Sequence, residues 1–370
     1  MKVMFCTNLP SPYRVDFFNE LGRYCDLTVC YERQSSTERD DNWVGDRALR
    51  YKEVYLDLTL VGPDRSRGGA LQEYISKYSF DILLLTNYIS PAVMRAIMYC
   101  KWKKIPYWIE YDGGFNKKDS FIKRQLKRFL LCGAQKHLTT CDEHIEYLKS
   151  LGIPWERIRK YPFSSVFQDE ILRRPLSESE KNNKKKELRI TEPRMVISVG
   201  RFNYQNGKGK GFDNLFRVAE KIDQETGFYI IGDEPTEEFV NWKKQKGLEH
   251  IHFIPFKKKR DLFEYYQAAD IMVLLTRGDT WGLVVNEAMA CGLPVVTTER
   301  CMAGVEMIQD GKNGRIVFSE TYEEALKAVG EILDSNRLGM QMAKESLATA
   351  KKYTIEEMAK AHKRFFEEIQ

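Results

Sequence analysis

The run Asp279-Thr-Trp-Gly-Leu-Val-Val-Asn-Glu287 places two carboxylates eight residues apart, with Gly282 between them and a helix expected just beyond it. The N-terminus of a helix presents backbone N–H groups without intrahelical partners and a partial positive charge, which suits a phosphate. Glu287, one to two turns into that helix, could accept hydrogen bonds from the hydroxyls of a ribose. Asp279, on the loop before it, could reach a second polyol. Upstream, the strand that ends in Gly200-Arg201-Phe202 is followed, nine residues after Arg201, by Lys210-Gly-Phe-Asp213, with glycines at 207, 209 and 211. Arg grips a diphosphate bidentately and Lys acts on it as a point charge. The plainer alternatives are an ordinary loop–helix–strand unit with incidental acids and a basic surface loop. Gly232-Asp233, at the end of another strand, fits a structural turn as well as a ligand contact.

The elements that must position these residues alternate along the chain. Strands are predicted at 3–7, 27–31, 82–86, 107–111 and 136–140, with helices at 14–24, 69–78, 92–102, 121–131 and 143–151 between them. The polar segment 172–192 interrupts the series and reads as a solvated linker. Beyond it, strands at 194–199, 228–231, 252–254, 271–275 and 294–297 alternate with helices at 214–226, 237–246, 259–268, 284–290 and 322–334. A last helix is predicted at 355–368. The pattern is α/β, with two Rossmann-like doubly wound domains in tandem. The expected domains span residues 1–170 and 193–354, with 171–192 as linker and the C-terminal helix, 355–370, packing back on the first domain. Ligands of such sheets bind beyond the carboxyl ends of the strands, so a cleft between the domains is the expected site.

Length and composition agree with two globular domains: 370 residues, 43% hydrophobic and 30% charged. No run of 18 apolar residues suggests a membrane-spanning helix, and the first residues lack the apolar core and cleavage site of a signal peptide. Eight cysteines without a CxxC pair suggest buried thiols in a reducing compartment. His250 and His252 would share one face of a strand, but with no third ligand evident no metal site is expected. The net charge of +5 is modest. Its concentration at Lys117, Lys118, Lys123, Arg124, Lys127 and Arg128, with only Asp119 opposing, matters more.

Four ordered motifs, Gly200-Arg-Phe…Lys210-Gly-Phe-Asp213, Ile230-Ile-Gly-Asp233, Ala268-Ala-Asp270-Ile and Asp279-Thr-Trp-Gly-Leu…Glu287-Ala-Met-Ala-Cys-Gly-Leu-Pro-Val-Val296, resemble retaining glycosyltransferase family 4, which has the GT-B fold. The resemblance covers nearly the whole C-terminal half. The N-terminal half matches more loosely, through Leu9-Pro-Ser-Pro-Tyr-Arg14 and Ile105-Pro-Tyr…Asp112-Gly-Gly114. It implies that Arg201 and Lys210 grip the donor diphosphate, that Glu287 binds the ribose, and that Gly200 and the Trp281-Gly282-Leu283-Val284 backbone line sugar and phosphates. Asp279 stands where the family usually has a Glu touching the donor sugar. Four departures follow. The family's common Gly-rich loop after the first strand is replaced by Asn8-Leu-Pro-Ser-Pro-Tyr-Arg14. Asp279 is one methylene shorter. The Arg201–Lys210 loop is longer than usual, so Lys208 rivals Lys210. Counted from Pro106, the place of the family's His falls on Asp112. Asp112 or Glu110 would then orient an acceptor hydroxyl, with Tyr13, Arg14 and Gly113 nearby.

Segment 121–131 is predicted as a basic amphipathic helix, with Phe121, Ile122, Leu126, Phe129 and Leu130 on one face and Lys123, Arg124, Lys127 and Arg128 on another. Such helices attract anionic headgroups at about 1 kcal/mol per basic residue. In the alternative, the apolar face packs on the sheet and the basic face is solvated. The expectation is therefore a cytoplasmic enzyme, in peripheral contact with an anionic membrane at its inner face. It would move a sugar from a nucleotide-diphosphate donor, UDP-sugar ahead of GDP-sugar, to a glycan or lipid-linked acceptor. No cofactor, metal or nucleic-acid partner is expected. A sugar-nucleotide epimerase, a glycan phosphorylase and a non-catalytic nucleotide-binding protein are the rival readings.

Overall fold

The computed structural model describes residues 1–33, 49–56, 59–62, 65–115 and 119–368. The chain divides into two units, residues 1–165 with 354–370, and residues 166–353.

The first unit runs β1 (Lys2–Thr7), α1 (Pro12–Leu21), β2 (Asp26–Tyr31), β3 (Lys52–Tyr55), a small hairpin of β4 (Thr59–Gly62) and β5 (Arg65–Arg67), α2 (Ala70–Lys77), β6 (Ile82–Leu85), α3 (Pro91–Lys103), β7 (Trp108–Glu110), α4 (Phe121–Leu131), β8 (Lys136–Thr139), α5 (Asp142–Ser150) and β9 (Ile158–Lys160). Its seven-stranded sheet is parallel, in the order β3-β2-β1-β6-β7-β8-β9. The order reverses between β1 and β6. The central strands are continuous apolar runs, as a parallel sheet covered on both faces requires: Val3–Cys6 and Ile82–Leu85 are all buried. Strands β3 and β9 and the hairpin were not expected. Both strands lie at sheet edges and carry charges (Lys52, Glu53; Arg159, Lys160), which suits an edge and hides the apolar signal.

The second unit runs α6 (Glu178–Glu187), β10 (Arg194–Val199), α7 (Phe212–Ala219), β11 (Thr226–Gly232), α8 (Glu237–Lys246), β12 (Ile251–Pro255), α9 (Lys259–Ala268), β13 (Ile271–Leu274), α10 (Leu283–Ala290), β14 (Val295–Thr298), α11 (Met302–Met307), β15 (Gly314–Val317), α12 (Glu323–Leu333) and α13 (Asn336–Ala350). Its parallel sheet has the order β12-β11-β10-β13-β14-β15 and reverses between β10 and β13.

Two expectations are corrected here. The stretch read as a solvated linker contains α6, started by a capping box between Ser177 and Glu180. It is tied to its own unit by Lys185, buried and 2.9 Å from Asp270, and by Lys184 against Glu264. Helix α7 ends at Ala219 instead of reaching Thr226, because residue 226 already pairs in β11.

After the second unit the chain returns to the first as α14 (Ile355–Glu367), capped by the Thr354 hydroxyl. Ile355, Met358, Ala359, His362, Phe365 and Phe366 recur at helical spacing and are all buried. His362 is the polar exception on that apolar face.

Candidate active site

In the second unit the expected residues collect where the strand order reverses, the place where doubly wound sheets hold ligands. Beyond the end of β10, Asp233 accepts hydrogen bonds from the backbone N–H groups of Phe202 and Asn203, the latter at 3.1 Å. Gly232 is required there, since a Cβ would run into the Gly200 carbonyl. The Gly232-Asp233 pair is thus a structural clamp that sets the course of Gly200 and Arg201, whose side chain is exposed. A Cβ at Gly200 would come within 3.1 Å of Lys210 Cγ, so the lysine stem lies across this glycine.

The loop carrying Lys210 is strapped to the exit of β13. Thr276 Oγ1 and the Arg277 N–H donate to the Gly209 carbonyl, both at 3.0 Å, and Arg277 Nη1 donates to the Lys208 carbonyl at 2.6 Å. Arg277 also forks onto Asp213 at 2.7 and 2.8 Å. Gly211, with φ of 72°, sits against Leu275 O, where no Cβ fits. The outcome separates the two candidate lysines. Lys208 turns to Glu238 at 3.0 Å, with both side chains about half exposed. Lys210 reaches Asp279, Nζ to Oδ2 2.5 Å, each side chain 19% exposed.

Asp279 has a pinned backbone: its N–H donates to Arg300 O at 2.9 Å and its carbonyl accepts from Met302 N at 3.3 Å, bracketing a parallel bridge to Cys301. Gly282, with φ of 98°, is the N-cap of α10, and a Cβ there would meet Cys301 Sγ at 2.7 Å. Cys301 is buried, donates to Trp281 O, and burial with Asp279 nearby pushes its thiol up to about 12. Trp281 is buried, its indole N–H donating to Asn286 Oδ1 at 2.8 Å and its carbonyl accepting from Ala303 N at 2.7 Å. Along α10, Val285, Asn286, Ala288, Met289 and Ala290 are buried, while Leu283, Val284 and Glu287 are partly exposed. The open stripe of this helix therefore consists of the residues expected to meet a donor. Tyr266 OH, buried on α9, donates to Glu287 Oε2 at 3.3 Å and fixes its carboxylate. Arg277, Cys301 and Tyr266 were missed from the sequence. Only Tyr266, two residues before the Ala268-Ala-Asp270 motif, left a local signal.

The motif acid Asp270 and the two strand histidines are structural or peripheral. Asp270 accepts from Met195 N at 2.8 Å and pairs with Lys185. His252 stacks on Tyr229 and pairs with Glu192 at 2.5 Å, whereas His250 faces Ala219 O.

In the first unit the acceptor-side candidates separate into an inside and an outside. Arg14, on α1, is buried and donates to Glu110 Oε1 at 2.6 Å and to Asp112. Glu110 Oε2 lies 2.8 Å from His362 Nε2, and the imidazole Nδ1 donates to Met358 O at 2.8 Å. Both ring nitrogens thus face an oxygen partner. Burial alone would raise the Glu110 carboxyl, but Arg14 and His362 outweigh it and hold it below its ordinary value. Burial would likewise lower Arg14, yet Asp112 and Glu110 keep it well above its usual range. The expectation that Arg14 and Glu110 face an acceptor is therefore corrected. Both are consumed in a buried ion network anchored on α14. Asp112 is different: its side chain is 39% exposed and is held from behind by Arg14. Tyr13, next to Arg14 in the chain and edge-on to Phe163 at 5.6 Å, and Gly113, next to Asp112 and with φ of 110°, are partly exposed.

Helix α4 forms over the predicted residues but turns the other way. Only Leu130 and Leu131 are buried; Phe121, Ile122, Leu126 and Phe129 are 47–81% exposed. Lys127 faces inward, 2.6 Å from Asp119 and 2.7 Å from Tyr147 OH, and Arg124 donates to Ser150 O. Lys123 is 3.3 Å from Asp119 but 63% exposed, and Arg128 is exposed. The solvated-basic, buried-apolar alternative is thereby reversed. Neighbouring α3 adds exposed Met98 and Trp102, with Lys101 Nζ 4.0 Å from the Phe129 ring centre and Lys103 Nζ 4.1 Å from that of Trp102. Lys117 and Lys118 lie outside the described residues. Among those described, no helix is long and apolar enough to cross a membrane, and no group of three His, Cys, Asp or Glu side chains could hold a metal ion.

Residues 179–349 match the family model described as glycosyl transferases group 1. Over 299 residues the chain is 26% identical to a glycosyltransferase of Haemophilus influenzae described as uncharacterized, covering 78% of this chain and 76% of that one. It is 20% identical over 284 residues, 74% of this chain and 73% of the other, to the N,N'-diacetylbacillosaminyl-diphospho-undecaprenol alpha-1,3-N-acetylgalactosaminyltransferase of Campylobacter jejuni. Among solved structures, Anabaena Alr3699/HepE in complex with UDP is similar with a TM-score of 0.77 at 15% identity, covering 100% of this chain and 99% of that one. WaaG, a glycosyltransferase involved in lipopolysaccharide biosynthesis, has a TM-score of 0.72 at 16% identity, covering 98% and 99%. Likeness at such identities speaks for the fold, which is GT-B: two parallel-sheet Rossmann-like units.

Proposed function

We propose that this glycosyltransferase moves a hexosyl or N-acetylhexosaminyl group, with retention of configuration, from a nucleotide-diphosphate donor to a hydroxyl of a glycan or lipid-linked acceptor during surface-polysaccharide assembly. The observation that carries the reading is the convergence of Arg201, Lys210, the N-terminus of α10 and Glu287 at the strand-order reversal of the second unit. In this reading Arg201, Lys210 and the α10 N–H groups take the diphosphate, Glu287 the ribose, and Asp279 the donor sugar. Charge developing on the departing diphosphate is met by fixed positive groups, so no divalent metal is needed. The acceptor oxygen bonds to the anomeric carbon as the bond from that carbon to the diphosphate oxygen breaks, and the acceptor proton passes to that phosphate on the same face. Asp112 orients the acceptor hydroxyl. UDP is favoured as the carrier, since structural relatives were solved with UDP.

The test is a panel of UDP- and GDP-sugars with and without EDTA, read by nucleoside diphosphate release and by the anomeric configuration of the product. Inversion, or activity abolished by chelation, would sink the mechanism; isomerised donor without transfer would favour an epimerase.

The reading extends to the membrane through α4. Its outward Phe121, Ile122, Leu126 and Phe129, bordered by Lys101, Lys103, Lys123 and Arg128, match an anionic bilayer surface in both polarity and charge. The protein is expected to cosediment with vesicles containing phosphatidylglycerol. Burying each of two such side chains is worth about 1.5–3 kcal/mol, so Phe121→Ser with Ile122→Ser should cut partitioning by roughly a hundredfold or more. Equal sedimentation of the variant would exclude α4 as the contact.

A further inference from the structure

The ion pair between Lys210 and Asp279 joins a group assigned above to the phosphates with one assigned to the sugar, and both ends of it are anchored. On the lysine side, the stem crosses Gly200 and its loop is strapped by Thr276 and Arg277. On the aspartate side, the backbone is tied to Arg300 and Met302. Asp279 has the shorter of the two acidic side chains, so from a pinned backbone its carboxylate has little room to withdraw. Nζ and Oδ2 stand 2.5 Å apart with both side chains mostly shielded, where such a contact is screened less than at an open surface.

We propose that the Lys210–Asp279 pair is a latch that makes the site discriminate against free nucleoside diphosphate in favour of the intact nucleotide sugar. This rests on the donor-binding reading above. A diphosphate must take Lys210 from Asp279. A nucleotide sugar compensates the aspartate with sugar hydroxyls that donate to its carboxylate, so both halves of the broken pair are satisfied again. A free nucleoside diphosphate offers no such donors. It leaves Asp279 with its charge uncompensated, facing another anion. The same residue that helps hold the donor therefore opposes the product, and once the sugar has been transferred the pair can re-form and expel the diphosphate. A binding-competent state populated one part in ten weakens apparent affinity tenfold, which sets the scale of the effect.

The test is calorimetric titration of the full chain with UDP, GDP and the sugar nucleotide selected by the donor panel. Wild type should bind the sugar nucleotide more tightly than its nucleoside diphosphate. Asp279→Asn, which keeps the shape and removes the charge, should bind that diphosphate about tenfold more tightly than wild type, while the sugar nucleotide gains less, so that the preference shrinks or reverses. Asp279→Ser should shift the diphosphate in the same direction and serves if the Asn variant folds poorly. Lys210→Gln should weaken both ligands. Diphosphate affinity within twofold of wild type in the folded Asp279 variants, or weaker, overturns the latch. Absence of any nucleotide binding to the wild type overturns instead the donor-site reading on which the latch rests.

Discussion

Glu110→Ala should lower the stability of the first unit by about 3–5 kcal/mol, the cost of stripping one partner from a buried ion network. For a unit of this size that is a fall of roughly 10 °C in thermal midpoint, read by calorimetry or circular dichroism. Glu110 is 1% exposed and lies between Arg14 and His362, both also buried. Removing it takes one of the carboxylate partners from the buried Arg14 and leaves His362 Nε2 without the oxygen it faces. The pH dependence has a definite sign. Because the folded carboxyl sits below its ordinary 4.5, its contribution is present above that value and is lost as pH falls through the folded one. Wild type should therefore lose stability on acidification below about pH 4.5, and Glu110→Gln, already destabilised, should lose less over the same interval. Identical acid profiles for the two proteins would show that Glu110 is not ionised in the fold.

Arg201→Ala should do the opposite: leave the fold intact and reduce kcat by about 10²–10³-fold, as when one preorganised donor to developing charge is removed. Its side chain is exposed, and the backbone beside it is held by Asp233 whatever residue stands at 201. The thermal midpoint should stay within about 0.5 kcal/mol of wild type in stability terms. Steady-state turnover with the donor chosen by the panel, measured beside a melting curve, separates the two effects. Turnover within threefold of wild type would remove Arg201 from the machinery.

What could be read from the sequence was what depends on neighbours in the chain. Arg201 at a strand end, Gly282 before a helix and the open stripe of α10 are local features of period and turn chemistry, and the structure gathers them beside the reversal of one sheet. The network in the first unit was not legible, because Arg14 and Glu110 are 96 residues apart and Glu110 and His362 are 252 apart. In the sequence Arg14 and Glu110 looked like polar groups near an acceptor. Only the fold turns them inward. Periodicity likewise showed that α4 has two faces but not which of them faces out. That was decided by Asp119 and Tyr147, which draw Lys127 inward. The charged edge strands β3 and β9 were hidden for a related reason, since edges need no apolar run on both faces.

The return of α14 to the first unit has a consequence for biosynthesis. Glu110 emerges from the ribosome early, but its partner His362 follows only after the whole of residues 166–353 has been made. At about 5–20 residues per second that delay is on the order of ten seconds or more. Throughout it, Glu110 has Arg14 but not His362 as a partner, and the first unit lacks the apolar cover of α14. The first unit must therefore wait, incomplete and exposed to chaperones, until the second has been translated. The unit begun first is finished last.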